Sequence, residues 1–343
     1  MSTEKVLPMS YPCMTSYPMH ANMLACIAQY EGSMHWFYNY YVQLSMEKDL
    51  QNSSCFIDFC APQPWKSCPW FHYQRINRDM IEKGWGSVSK FIIDCIDSDY
   101  YVYLYLDQFY IPEARQFQNR HFAHDSFIYG YDSSNKQFNI ADFYQHFKYY
   151  FTTASFSQIN MAFEDKKLLE AANQLGGIIL VKPVQYDYFV FDVMKLRGFI
   201  EDYLQSKLSS KSYTDNYRID VGDNRDLWVY GLEIYSYLQR YLELVLQRKV
   251  LLDLRAFQVI VDHKTLMLSR ILYLAENKLL IDADSIYKEF EAIKHEFMLI
   301  RNLAIKSFVT GHTDGVEKII SRIPQIVSKE TYILQRLLSN LVD

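Results

Sequence analysis

His121-Phe-Ala-His124-Asp-Ser-Phe-Ile-Tyr-Gly130-Tyr-Asp132-Ser-Ser-Asn-Lys136-Gln-Phe138-Asn-Ile140-Ala-Asp142 is the stretch on which the reading of this chain turns. Phe122 to Tyr129 is apolar and aromatic enough for a strand. Gly130-Tyr131-Asp132 opens a polar break that continues through Asn135-Lys136, and Phe138-Asn139-Ile140 resumes a strand ending at Asp142. The pattern predicts a β-hairpin with His124 on its first strand and Asp142 at the far end of its second. Antiparallel pairing sets such positions side by side. A carboxylate beside an imidazole fixes the ring tautomer and stabilises imidazolium, which is the base-and-orienter half of a nucleophilic triad. The plain alternative is a hairpin that carries one His and one Asp with no chemistry between them.

Working outward, Ser16 is placed to cap a helix with Pro18 in its first turn, running to about Glu31 and stopping near Gly32. Met19, Met23, Cys26, Ile27 and Tyr30 form its apolar stripe at helical spacing. Residues 33–70 show no clear period and read as loop-rich. Asn77 to Lys83 and Ser87 to Ile96 read as helices, and Tyr100 to Tyr110 as a buried strand between Asp97-Ser98-Asp99 and Pro112. Asp107 and Tyr110, near the end of that strand, face either a cleft or solvent. Beyond the hairpin, Ser155 or Ser157 starts a helix through Ala172, and Ile178–Pro183 is a short strand. Helices and antiparallel strands mixed over residues 1–190 give an α+β class. From residue 191 to 343 the pattern is all-α. It has helices at Val193–Lys207, Asp226–Gln247, Leu251–Glu276, Ser285–Phe308 and Val316–Leu341, and a polar linker over Leu208–Asp223.

The chain's 343 residues are half hydrophobic, enough for a large core. A net charge of −5 with both signs interspersed argues against a nucleic-acid partner. No run of 18 uncharged apolar residues exists, so no membrane partner is expected. The opening Met1-Ser-Thr-Glu-Lys has no signal-peptide character, which predicts a cytoplasmic protein with reduced thiols. Cysteines at 13, 26, 55, 60, 68 and 95 lack the close pairing of zinc sites, so no metal is expected of them. Phosphate-binding Gly-rich loops, dinucleotide fingerprints, zinc-protease helices and Gly-x-Ser-x-Gly elbows are missing, and no cofactor is expected.

The run His124-x5-Gly130-Tyr131-Asp132-x9-Asp142 resembles the His/Asp hairpin of papain-like cysteine acyltransferases and peptidases. With the upstream stretch Tyr100-Tyr-Val-Tyr-Leu-Tyr-Leu-Asp107-Gln-Phe-Tyr-Ile-Pro112, it is similar to the family of butirosin biosynthesis protein H, found in nonribosomal-peptide and aminoglycoside gene clusters. The resemblance covers most of the chain and implies a papain-like domain over 1–190 followed by a helical domain over 191–343. It also implies antibiotic-type secondary metabolism. A cysteine attacks a carrier-protein thioester, a histidine is the base, an aspartate orients it, and an amine takes the acyl group. His124 and Asp142 fit two of the three roles. The implied partners are an acyl or peptidyl carrier protein and a small amine acceptor, and a homodimer stays open. Asp253, Arg255, His263, Lys264, Arg270 and Arg301 resemble recurring family positions, and ordinary helix-surface ion pairs account for them equally well.

The chain departs from that family at the nucleophile. The pattern Cys-x-x-Asn at the start of the first helix falls on Met19-His20-Ala21-Asn22, so the nucleophile position is Met19. A thioether has no ionisable proton. Cys26 lies about 10 Å further along the helix and reads as core. Cys13 becomes the substitute nucleophile if its loop folds back. His20 and Asn22 on the first turn contact substrate or face solvent. Two readings follow. One is an enzyme that transfers, hydrolyses or cyclises a carrier-bound acyl group, with His124 as general base for direct amine attack. The other is a binding or accessory protein that kept the cleft and lost covalent chemistry.

Overall fold

The computed structural model describes residues 3–51, 55–144, 148–164, 168–169, 177–209 and 227–342. In chain order these form β1 (Glu4–Val6), α1 (Pro18–Ile27), α2 (Ser33–Tyr40), β2 (Leu44–Glu47), β3 (Ile57–Phe59), α3 (Pro64–Ser67), β4 (Phe71–Ile76), α4 (Arg78–Trp85), α5 (Val88–Asp97) and β5 (Tyr101–Asp107). They continue with β6 (Ala123–Asp132), β7 (Gln137–Phe143), β8 (Tyr149–Ser155), α6 (Phe156–Glu164), β9 (Ile178–Pro183), α7 (Val193–Leu204) and β10 (Trp228–Tyr230). Four long helices close the chain: α8 (Ile234–Leu246), α9 (Arg255–Glu276), α10 (Ala283–Thr310) and α11 (Asp314–Asn340). Most of the predicted 208–223 linker lies outside the described residues, as do the end of the helix expected to reach Ala172 and the start of the one expected at Asp226.

The chain divides into two compact units, one of residues 1–31 and 64–186, the other of residues 32–63 and 187–343. The first unit is an antiparallel sheet in the order β4-β9-β5-β6-β7-β8, with β1 added to β6. β5 pairs with β6 along Val102–Asp107, and β1 takes up the same edge further on, Val6 opposite Gly130. A side chain at Gly130 would meet the Lys5 carbonyl oxygen and the Asn139 side chain, both at 2.8 Å, so glycine is what lets β1 approach. α1 packs on β6 and β7. Ser16 does not cap this helix: Tyr17 holds the cap position without a side-chain bond, and the buried Ser16 Oγ has no partner among the described residues. Ser87 does cap α5, accepting from Lys90 N–H.

The second unit is not purely helical. β2 and β3 pair as sequence neighbours, β10 joins β2 from more than 150 residues further on to complete a small antiparallel sheet, and β3 packs on α9. Residues 32–63 belong here and not with the hairpin, a departure from the 1–190 and 191–343 boundaries. His263, Lys264 and Arg270 also depart from expectation, since all three are fully buried where surface ion pairs would account for them. Lys264 Nζ donates to Glu330 Oε1, to Tyr203 OH at 3.2 Å and to His263 Nδ1 at 3.1 Å, using all three of its protons. His263 Nε2 donates to the Val42 carbonyl at 2.8 Å, and Tyr235 OH donates to Glu330 Oε2 at 3.4 Å. Burial and then the neighbouring Lys264 cation hold the His263 pKa well below its ordinary value, so the ring is neutral in the fold. Unfolding lets it take a proton below about pH 6.5, so its contribution to stability is complete above that pH and is lost as the pH falls.

A fully satisfied buried pair is costly to break from one side. Glu330→Ala leaves Lys264 charged and unpaired, and urea titration is expected to show a loss of ~3–5 kcal/mol. Lys264→Met combined with Glu330→Leu should recover most of that loss. A single-variant loss below ~1 kcal/mol would contradict the network described.

Candidate functional site: a histidine held by two carboxylates

Phe127 pairs with Ala141 across β6 and β7, so the register continued outward sets Asp142 opposite Ser126. His124 is two residues before Ser126 and on the same face, within diagonal reach of Asp142. Its Nδ1 donates to Asp142 Oδ2 at 2.9 Å. The same nitrogen lies 3.1 Å from the Asp125 carbonyl oxygen and 3.3 Å from Asp125 Oδ1. Three acceptors thus converge on one nitrogen. Each carboxylate is anchored through its other oxygen: Phe143 N–H donates to Asp142 Oδ1 at 2.6 Å, and Tyr103 OH donates to Asp125 Oδ2 at 2.5 Å. The hairpin expected from sequence therefore brings His124 and Asp142 together, although β6 runs on through Gly130-Tyr131-Asp132 and the turn is confined to residues 133–136.

Asp142 is 1% exposed, while the His124 side chain is 27% exposed and its Nε2 has no hydrogen-bond partner among the described residues. Burial disfavours the imidazolium, but Asp142 and then Asp125 outweigh it, and the His124 pKa is pushed up to about 10. Burial raises the Asp142 pKa, and the imidazolium opposes that rise. The two carboxylates thus favour the protonated ring, and its Nε2 is left without a hydrogen-bond partner among the described residues. The general-base role expected of His124 calls for a ring that has given up this proton. A protonated ring gives a proton or binds an anion; it is not a resting general base.

The other predicted residues fare differently. Met19 is the second residue of α1 and half-buried. His20 and Asn22, expected at a substrate or solvent, are 3% and 0% exposed. Asn22 Oδ1 accepts from Tyr149 OH at 2.7 Å, and its Nδ2 has no partner among the described residues. Both belong to the packing of α1, because the side of the helix they occupy is covered. Cys26 is core as expected; its Sγ donates to the Met23 carbonyl, and burial pushes its pKa well up, away from thiolate. Cys13 is exposed, and no hydrogen bond joins it to His124 among the described residues.

Asp107 faces neither a cleft nor solvent. It is fully buried, its Oδ1 accepting from Phe109 and Phe122 N–H at 3.0 Å and its Oδ2 from His121 Nδ1 at 2.6 Å. Tyr110 is half-buried in the short 3₁₀ turn that follows, 6.0 Å from the His121 ring. Sequence reasoning missed His121 and Asp125. Asp125 follows His124 directly, and an acidic neighbour beside a candidate imidazole was the available signal. His121, three residues earlier, forms a second His–Asp pair whose ring stacks on Phe109 at 4.3 Å. His124, Asp125 and Asp142 also form a group of metal-capable donors, all within 4.8 Å of one another. No helix among the described residues is long and apolar enough to cross a membrane. No family model matches the chain, and no curated protein is found similar to it.

The charge on His124 is open to direct measurement. Its ring proton resonances are expected to titrate near pH 10 by NMR, whereas Asp142→Asn should bring the midpoint down. The folded pKa lies above the ordinary value of about 6.5, so His124 contributes stability that is complete below that pH and lost as the pH rises towards 10. The stability difference between wild type and Asp142→Asn should therefore shrink over that window. A wild-type ring that titrates near 6.5 would show that the two carboxylates do not act on it.

Proposed function

We propose that this chain is a papain-like acyl-transfer protein of natural-product biosynthesis, acting in the cytoplasm on a carrier-protein thioester with a small amine as acceptor. The observation that carries the reading is the 2.9 Å bond from His124 Nδ1 to the buried Asp142, with Nε2–H left for a substrate. The nucleophile is then the amine itself, because Met19 offers no thiolate and Cys26 is a buried thiol. The amine nitrogen attacks the thioester carbon, and the imidazolium Nε2–H donates to the oxyanion that forms. The C–S bond breaks, His124 gives its proton to the departing sulfur, the new ammonium loses one proton to water, and the ring takes one back from water. Asp142 and Asp125 hold the ring protonated until that step. General-acid help of this kind is typically worth 10²–10⁴-fold.

Aminolysis of an N-acetylcysteamine thioester by a small primary amine tests this. His124→Ala should slow turnover by ~10²-fold or more with its circular dichroism unchanged. Turnover should decline as the imidazolium is lost near pH 10, and Asp142→Asn should move that decline to lower pH. A stable acyl adduct on Cys13 in intact-protein mass spectra would replace direct attack by covalent catalysis. Turnover equal in wild type and His124→Ala would remove the enzyme reading.

Met19 supports a second reading, a cleft that binds a carrier protein or peptide intermediate without turning it over. Retention of an acyl-loaded carrier protein without thioester loss would favour it.

A further inference from the structure

We propose that His124, Asp125 and Asp142 form a binding site for a divalent first-row metal ion of the zinc class. Zinc bonds imidazole nitrogen and carboxylate oxygen at about 2.0–2.2 Å. Donors around such an ion at tetrahedral or octahedral angles sit roughly 2.8–3.6 Å from one another. Asp142 Oδ2 and Asp125 Oδ1 lie 2.9 and 3.3 Å from His124 Nδ1, inside that window. The Asp125 carbonyl oxygen, 3.1 Å from the same nitrogen, adds a further oxygen on that side.

Charge supports the ion independently of distance. The ion pairs described for Asp125 and Asp142 are both with His124, so two carboxylates share one imidazole and negative charge is left over even when the ring is protonated. A divalent ion balances the pair of carboxylates with the ring neutral. Binding replaces one proton: the metal takes the Nδ1 lone pair as the Nδ1 proton leaves to water.

The outer groups suit this. Metal-ligating carboxylates are commonly held by hydrogen bonds from behind. Phe143 N–H and Tyr103 OH, neither of them a metal donor here, hold the far oxygens of Asp142 and Asp125 and turn the near ones to the ring. Imidazole with carboxylates and no thiolate suits zinc and manganese, and an imidazole ligand disfavours magnesium. An ion on Nδ1 removes the proton through which Asp142 orients His124, so metal and imidazolium are alternative states of one cluster.

Calorimetric titration of the full chain, stripped of metal, with zinc chloride tests the site. One ion per chain is expected, with Asp125→Asn and Asp142→Asn each weakening it by ~10-fold or more. Cys13→Ser and His121→Ala should leave it unchanged, and Co²⁺ should give visible absorption bands that Asp125→Asn removes. Circular dichroism reads the fold of each variant, and Asp125→Asn carries the test if Asp142→Asn fails to fold. No stoichiometric zinc in wild type, equal affinity in Asp125→Asn, or loss confined to Cys13→Ser or His121→Ala would each overturn the site. The titration uses no thioester, so its result stands whether or not the chain transfers acyl groups.

Discussion

The first unit depends on β6 being paired along both edges. From Phe127 to Asp132 both edges are taken, one by β5 and then β1 and the other by β7, while Ala123 to Ser126 are in register with β5. A register slip of one residue would turn every side chain of β6 to the opposite face, so pairing on two edges fixes which face each presents. The shift between Ile128 and Gly130 lets the far half of the strand accept β1 while the near half keeps its register with β5. His124 stands in that near half. Its position is therefore set by backbone hydrogen bonds along the sheet and not by its own side-chain contacts alone.

Two His–Asp pairs sit at this end of β6, and they differ in where the carboxylate spends its lone pairs. Asp107 gives one oxygen to two backbone N–H groups, closing the β5 end and its turn, and only the other to His121. Without Asp107 those amides lose their acceptor, so its burial is explained by the chain reversal. Asp142 accepts from one backbone N–H and gives its remaining oxygen to His124, which a second carboxylate also approaches. The local turn explains the first arrangement. Nothing in the strand pairing calls for the second, and two carboxylates on one ring raise its affinity for protons at a cost in repulsion between them.

Much of the first unit was legible because its signals are local. The aromatic run Phe122 to Tyr129 and the polar break through Asn135-Lys136 define the hairpin, although the break expected from Gly130 opens three residues early; the Asp-Ser-Asp and Pro112 boundaries define β5, and Pro18 with the Met19-to-Cys26 stripe defines α1. The small sheet of β2, β3 and β10 was not legible, because each strand is too short to show a period and β10 joins β2 from more than 150 residues away. The burial of His263, Lys264 and Arg270 was hidden for a related reason. Charged residues on a helix ordinarily face water, and Glu330, Tyr203, Val42, Tyr38 and Tyr41, all distant in sequence, supply partners that let these three be buried. Asp125 follows His124 directly, yet adjacent strand residues alternate faces, so sequence alone does not bring its Oδ1 within 3.3 Å of the imidazole.

Asp125 also bears on Met19. In a thiolate–imidazolium pair the ring stays protonated because an anion lies on either side of it, a carboxylate behind and the thiolate in front. A ring without a thiolate partner has one anion fewer, and its affinity for a proton would be lower. Here a second carboxylate approaches from behind instead, and the ring pKa is pushed up to about 10 with no thiolate near it. Such a ring favours its proton, and its Nε2 has no hydrogen-bond partner among the described residues.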